Sequence, residues 1–319
     1  MTRPEIDPEI SIFADQLAEA WAEHPPFMSL PIKEARRVAE QVRAPWRANG
    51  PEMARVTEEL VPTSGGPLRV RLYDPGLKLP APALIYLHGG GFILFSIDTH
   101  DRLMREYAAA GNFLVLGVDY PLSPEAPYPV ALNQIVELID WIWASGLKSL
   151  GIDPDRLAIG GDSAGGNLSV AAALRLRDRG TSERLKGLLL NYGAFGLECS
   201  DEAEARFGGP NAVLQRAEMN HYYRSYLGAD GLARPEPYAA PLLANLQGLP
   251  PAFLAIPECD ILSEQSYAMV DRLKEAGVDV TSVIYPGATH SFLEAMSVAK
   301  VARRAIEDGA NWVSEILKR

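Results

Sequence analysis

The sequence predicts an α/β protein, with a mostly parallel sheet covered by helices on both faces. Three observations carry this. Short continuous apolar runs, such as "APALIYLH" at 81–88 and "FLVLGVDY" at 113–120, have the texture of strands buried on two faces. Helix-period stretches alternate with these runs along the chain. Gly and Pro punctuate the junctions.

Residues 1 to about 60 read as helical. "DPEISIFADQLAEAWAEH" sets Ile10, Phe13, Leu17 and Trp21 at helical spacing, and "IKEARRVAEQVRAPW" predicts a second helix that stops before Pro45. From about 67 the texture changes. "PLRVRLYDP" alternates apolar and polar residues, as a half-buried edge strand does. After "APALIYLH" and "FLVLGVDY", the buried-strand pattern returns in "RLAIGGDS", "LKGLLLNYG", "PAFLAIPECD" and "VTSVIYPG". Between the strands lie "DRLMREYAAA", "ALNQIVELIDWIWAS", "GNLSVAAALRLRDRG" and "SEQSYAMVDRLKEAG", and "SVAKVARRAIEDGANWVSEILKR" ends the chain. A long polar and aromatic insertion runs from 198 to about 235. The expected organisation is one α/β domain over 1–319, with a helical cap from about 1–50 and 198–235.

The 319 residues are 47% apolar and 22% charged, with a formal net charge of -11, which disfavours nucleic acid and anionic membrane as partners. Cys199 and Cys259 are the only cysteines, too few for a disulfide scaffold, and free thiols are expected. The first residues carry acids and prolines in place of a signal-peptide pattern, and no apolar run has the length of a membrane span. A cytoplasmic protein is expected, and a homodimer is left open.

The strongest chemical signal is "LAIGGDSAGGNLS", in which a buried strand enters Gly161-Asp162-Ser163-Ala164-Gly165 and continues into a helix. This is a G-x-S-x-G nucleophile elbow in its strand–turn–helix setting. The turn is tight, so the neighbours of Ser163 must be small. A serine needs a base. Of the five histidines, His290 in "VIYPGATHSF" follows a buried strand and a Pro-Gly loop, where such sheets place active-site residues. "PAFLAIPECDILSEQ" offers Glu258, Asp260 and Glu264 as the orienting acid; Asp260 is chosen because it lies just past the strand and before the helix, while Glu258 falls at the strand end and Glu264 in the first helical turn, and the competing reading of Asp260 is a helix cap. The order Ser163, Asp260, His290 is that of α/β-hydrolases. In "HGGG", 88–91, the bare backbone of Gly90 and Gly91 suits an oxyanion hole, with the N–H of Ala164 as the third donor. His88, Gly89 and Asp162 are assigned to loop support, and Phe95, four residues past Gly91, to the substrate pocket.

On these residues the sequence resembles the hormone-sensitive-lipase-like family of α/β-hydrolases. "HGGG", "GDSAGG" and "DYPLSPEAPYP" match its motifs, and "YLHGGGFIL" with "DTHDRLMR" is most similar to bacterial cytoplasmic acetyl esterases. The likeness spans nearly the whole chain and is weakest in the first 50 residues and the insertion. It implies the α/β-hydrolase fold, short-chain acyl esters (acetyl to butyryl) as small-molecule substrates, a helical cap, and no cofactor or metal. It also supports the roles given to Ser163, Asp260, His290, Gly90, Gly91 and Ala164. Two positions depart from the family pattern, Ile261 after the aspartate and Ser291 after the histidine, and Phe95 stands where the acetyl-esterase group tends to have glycine. The competing expectations are an amidase or deacetylase on the same triad, and a non-catalytic ligand-binding relative. Plant hormone receptors of this kind lose the histidine, and the presence of His290 argues against that here.

Overall fold

The computed structural model describes residues 4–146, 149–209 and 212–319. Among the described residues, eight strands form one sheet in the order β1-β2-β4-β3-β5-β6-β7-β8. They are β1 (Arg55–Val61), β2 (Leu68–Asp74), β3 (Ala81–Leu87), β4 (Leu114–Val118), β5 (Ile152–Asp162), β6 (Leu188–Asn191), β7 (Ala252–Cys259) and β8 (Val280–Thr289). β2 is antiparallel to both its neighbours, and every other pairing is parallel.

The apolar runs read as strands are buried on both faces. In β3, Ala81, Ala83, Ile85 and Leu87 enter one core cluster, while Leu84 and Tyr86 enter the other. The first cluster is covered by α4 (Val130–Trp141), α5 (Ala164–Asp178) and α8 (Ser263–Glu275), through residues such as Leu132, Leu168 and Met269. The second is covered by α3 (Asp101–Gly111) and α9 (Lys300–Ile316), through Leu103, Met104, Ala302 and Ile306. This two-sided burial is what makes the strands continuous apolar runs.

The N-terminal helices are α1 (Pro8–Ala22) and α2 (Ile32–Arg43). Asp7 caps α1 through its side chain, and Ile10, Phe13 and Leu17 are its buried stripe. In the insertion, Ser200 caps α6 (Asp201–Phe207), and a capping box formed by Gln215 and Glu218 opens α7 (Arg216–Ala233).

One correction concerns the N-terminal region. The helical reading to about 60 fails at β1, which occupies the sheet edge and displaces β2 from it. Locally "RVTEELV" is a poor strand, with Leu60 66% exposed and adjacent glutamates. What holds it lies across the pair. Glu58 faces Arg71 in register and accepts from Arg69 and Arg71 at 2.6–3.0 Å. Such a partnership is invisible in a window of sequence.

Cys199 and Cys259 are both buried and are not joined to each other. Among the described residues, no helix is long and apolar enough to cross a membrane.

Candidate active site

The carboxyl ends of β3, β5, β7 and β8 deliver one loop each to the same edge of the sheet, where open α/β sheets bind ligands. β5 ends at Asp162, Ser163 makes the turn, and α5 starts at Ala164. Ser163 has φ 52° and ψ -115°, a strained conformation for a residue with a Cβ. The turn is closed by Ser163 N–H donating to Asn191 O at 3.0 Å and by Ala194 N–H donating to Ser163 O at 3.1 Å. A Cβ on Gly161 or Gly165 would strike the carbonyl oxygen of Leu87. Small residues here are therefore a packing requirement of the elbow against β3.

The structure brings Ser163, His290 and Asp260 together. His290 Nε2 lies 3.0 Å from Ser163 Oγ, and His290 Nδ1 lies 2.7 Å from Asp260 Oδ2. Asp260 also accepts from Leu262 N–H at 3.0 Å through Oδ1. Its contacts with the turn and with His290 thus use separate oxygens. The other two acids are engaged elsewhere: Glu258 accepts from Gly287 N–H at 3.1 Å, and Glu264 accepts from Ser200 N–H and Oγ at 2.5 and 2.6 Å. All three members of the trio are buried, with Ser163 8% exposed.

The glycine loop meets its neighbours at every position. A Cβ on Gly89 would hit Asp162, one on Gly90 the carbonyl of Leu94, and one on Gly91 the ring of Tyr222. Gly90 and Gly91 also have φ of 112° and 60°. Gly89 N–H donates to Asp162 Oδ1 at 3.1 Å. The N–H groups of Gly90, Gly91 and Ala164 donate to no group among the described residues, and all three residues line hollows that include Ser163.

Beneath this loop lies a buried network. Asp162 Oδ1 accepts from Tyr86 Oη at 3.1 Å, and Oδ2 lies 3.3 Å from His100 Nε2. Burial opposes the Asp162 charge, but His100 outweighs it and holds its pKa below the ordinary value. Burial likewise opposes a cationic His100, and Asp162 outweighs it and raises the His100 pKa. His88 goes the other way. Burial, then the neighbouring His100, push it down to about 3, so it stays neutral. His88 Nδ1–H donates to Gly89 O at 2.6 Å, and its ring stacks on Tyr120 at 4.3 Å. Tyr120 Oη donates to His88 O at 2.7 Å.

Among the described residues, two hollows meet at Ser163. One, of about 60 Å³, is lined by His290, Gly90, Arg43, Phe95 and Glu218 among others. It adjoins a wider hollow of about 500 Å³ that shares Trp21, Phe27, Arg43, Val213 and Glu218. The other is an apolar slot of about 20 Å³ lined by Ala164, Ala194, Leu214, Met219, Tyr223 and Leu262, among others, without His290. Phe95 thus lies on the His290 side. Its φ is 67°, the left-handed conformation that glycine takes most easily, and its ring sits 4.9 Å from the Arg43 guanidinium.

Sequence reading assigned nothing to Arg43, Glu294, Glu218, Tyr222 or His100 here. Arg43 Nη1 donates to Glu294 Oε1 at 2.8 Å in a buried pair that ties α2 to the segment after His290. Phe27 stacks on Tyr222 at 5.7 Å, joining the N-terminal region to α7. For His100, "DTHDRLMR" was the one available signal. Among the described residues, no three His, Cys, Asp or Glu side chains are grouped as a metal site.

A strand–turn–helix serine after β5, a carboxylate after β7 and a histidine after β8 of a mostly parallel sheet have the arrangement of an α/β-hydrolase site. The comparisons agree: residues 84–294 match the family model described as alpha/beta hydrolase fold, and the chain belongs to that family. The hyperthermophilic esterase from the archaeon Pyrobaculum calidifontis is 32% identical, with a TM-score of 0.90 over 98% of each chain. A thermophilic carboxylesterase cloned from a metagenomic library is 30% identical, with a TM-score of 0.86 over 91% of this chain and 99% of that one. A thermostable esterase from Pseudomonas putida is 29% identical, with a TM-score of 0.89 over 99% of each chain.

Proposed function

We propose that this carboxylic ester hydrolase is a serine esterase for short-chain acyl esters, working through an acyl-enzyme. The reading rests above all on the continuous chain Asp260–His290–Ser163, at 2.7 and 3.0 Å. His290 Nε2 accepts the Ser163 Oγ proton as Oγ attacks the ester carbonyl carbon. Asp260 holds the ring, with Nδ1–H donating to it, and favours the imidazolium that forms. The carbonyl oxygen becomes an anion on the unoccupied N–H groups of Gly90, Gly91 and Ala164. The C–O bond then breaks, and His290 returns its proton to the departing alcohol. Water attacks the acyl-serine by the same route, releasing acid and restoring the serine.

The departing alcohol must lie on the side of His290, because His290 gives it the proton. The hollow of about 60 Å³ is therefore the alcohol side, and the slot of about 20 Å³ takes the acyl chain. Such a slot holds little more than a water-sized group, which favours acetyl and its near homologues. α1, α2, α6 and α7 serve as the cap over this site, within a single hydrolase domain. In these respects the protein groups with acetyl esterases, and on sequence grounds we place it in the cytoplasm.

The test is hydrolysis of p-nitrophenyl esters from C2 to C12, with p-nitroacetanilide as the amide control. The expected result is activity concentrated at C2–C4 and little on the anilide. A maximum at C8 or beyond would remove the short-chain reading, and comparable anilide turnover would make the protein an amidase.

A further inference from the structure

We propose that Arg43 and Glu218 form a polar clamp on the alcohol side of Ser163. The preferred substrate is then a short-acyl ester whose alcohol carries free hydroxyl groups, a polyol ester rather than an alkyl one. This deepens the esterase reading above and rests on it.

Both side chains line the hollow that contains Ser163 and His290, and both line the wider hollow adjoining it. Most of the other walls of that wider hollow are apolar or aromatic, among them Leu17, Trp21, Phe27 and Met28. Arg43 is 5% exposed, so its donors are shut away from bulk water. Nη1 donates to Glu294, while Nε, which is buried, and Nη2 donate to no group among the described residues. An unpartnered guanidinium N–H at such depth is costly unless something meets it. Glu218 accepts one hydrogen bond, from Gln215 N–H at 2.9 Å to Oε2, and Oε1 accepts none among the described residues. Burial lifts the Glu218 pKa to about 7, against the pull of the nearby His290 and Arg43. The wall therefore offers spare guanidinium donors and one spare carboxylate oxygen.

Charge decides which ligand fits. An anion would share Arg43 with Glu294 and would face the Glu218 carboxylate whenever it is ionised. A cation would face Arg43. A hydroxyl group accepts from a spare Arg43 N–H and donates to Oε1, which satisfies a donor and an acceptor without displacing the Arg43–Glu294 pair. On the acyl side, Ala164, Ala194, Leu214 and Met219 offer no comparable partner. The two sides of Ser163 therefore select by different chemistry.

The experiment compares glycerol monoacetate with propyl acetate, which has the same three-carbon chain and lacks both free hydroxyls. The wild-type enzyme is expected to favour the glycerol ester by about tenfold in kcat/KM, mostly through KM, as a site with unpaired polar groups discriminates. Glu218→Leu should bring that ratio close to one, while Glu218→Gln, which keeps an acceptor, should hold it within about threefold of wild type. Wild-type enzyme that hydrolyses p-nitrophenyl acetate yet treats the two esters alike would overturn the clamp, as would a Glu218→Leu variant that keeps the preference. Calorimetric binding of both esters to Ser163→Ala reads the clamp without turnover. Tighter binding of the glycerol ester supports it, and equal binding overturns it. If wild type turns over no ester but Ser163→Ala binds the glycerol ester preferentially, the esterase reading fails and the clamp stands.

Discussion

Ser163, Asp260, His290 and the glycine loop stand on the carboxyl ends of four parallel strands, whereas Arg43, Phe27, Glu218 and Tyr222 close the same space from α2, the turn before it, and α7. The first group is held largely through its own backbone groups. Ser163 is pinned through Asn191 and Ala194, Gly89 through Asp162, and the elbow glycines by the approach of Leu87. The second group is held by side chains, through the Arg43–Glu294 pair and the Phe27–Tyr222 stack. The difference teaches where change is tolerated. Altering the strand-end floor should damage every substrate alike, while altering the helical wall should change one substrate relative to another.

The sharpest test of that contrast is Ser163→Ala. It should fold normally and lose roughly 10⁴- to 10⁶-fold in kcat on every ester, since the groups of such a site act as a unit. A purified variant keeping a tenth of wild-type turnover would contradict the role given to Ser163.

Next in size is His100→Leu, which leaves Asp162 buried without its ion-pair partner. The expected loss is about 3–5 kcal/mol in urea unfolding. The pH dependence has a defined sign. His100 has a raised pKa, so its contribution is fully present below its ordinary value of 6.5 and is lost as pH rises through the raised one. Asp162 has a lowered pKa, so its contribution is present above 3.8 and is lost as pH falls through the lowered one. The stability gap between wild type and variant should be widest between these two ordinary values and should narrow in alkaline buffer. A gap that is constant from pH 5 to 9 would show that the pair is not ionised.

Glu218→Gln probes the wall and should act in the opposite direction. The folded carboxyl titrates near about 7, above its ordinary 4.5, so the folded state holds a proton that the unfolded state releases. Wild-type stability should therefore fall between about pH 4.5 and 7 through this group, by no more than about 3 kcal/mol. The variant should gain on wild type across that interval and hold a steady advantage above it. Equal melting shifts at pH 5 and pH 8 would show that Glu218 titrates normally.

The smallest expected effect is in the acyl slot. Met219→Ala removes a wall that is 2% exposed and should let longer chains enter. Each methylene accommodated is worth about 0.8 kcal/mol, or roughly fourfold in kcat/KM. The C6-to-C2 ratio is the reading to take, because a change in overall stability cancels in it. If that ratio stays fixed, the slot does not carry the acyl chain.

The legible part of the molecule follows the same division. Buried parallel strands were readable because burial on both faces leaves a run with no polar residue to interrupt it, as in "APALIYLH". The serine elbow and the glycine loop were readable because close backbone approach excludes side chains, and that exclusion is written locally. β1 was missed because Glu58 takes its arginines from the next strand, and His100 because its partner Asp162 lies 62 residues away. Arg43 reads as one more basic residue on a polar helix until the fold buries it against Glu294, 251 residues further on.

The sequence by itself determined the α/β class, the order Ser163, Asp260, His290, and the demand for bare backbone at Gly89–Gly91. Each of these rests on local sterics, on the period of burial, or on the chain order of chemically distinctive residues. The tertiary structure alone decided how close that trio comes, which glutamate would be left with a spare oxygen beside it, and that the space around Ser163 divides into an apolar slot and a polar hollow. Those outcomes depend on pairings between side chains far apart in sequence, and distance and desolvation exist only after the chain has folded.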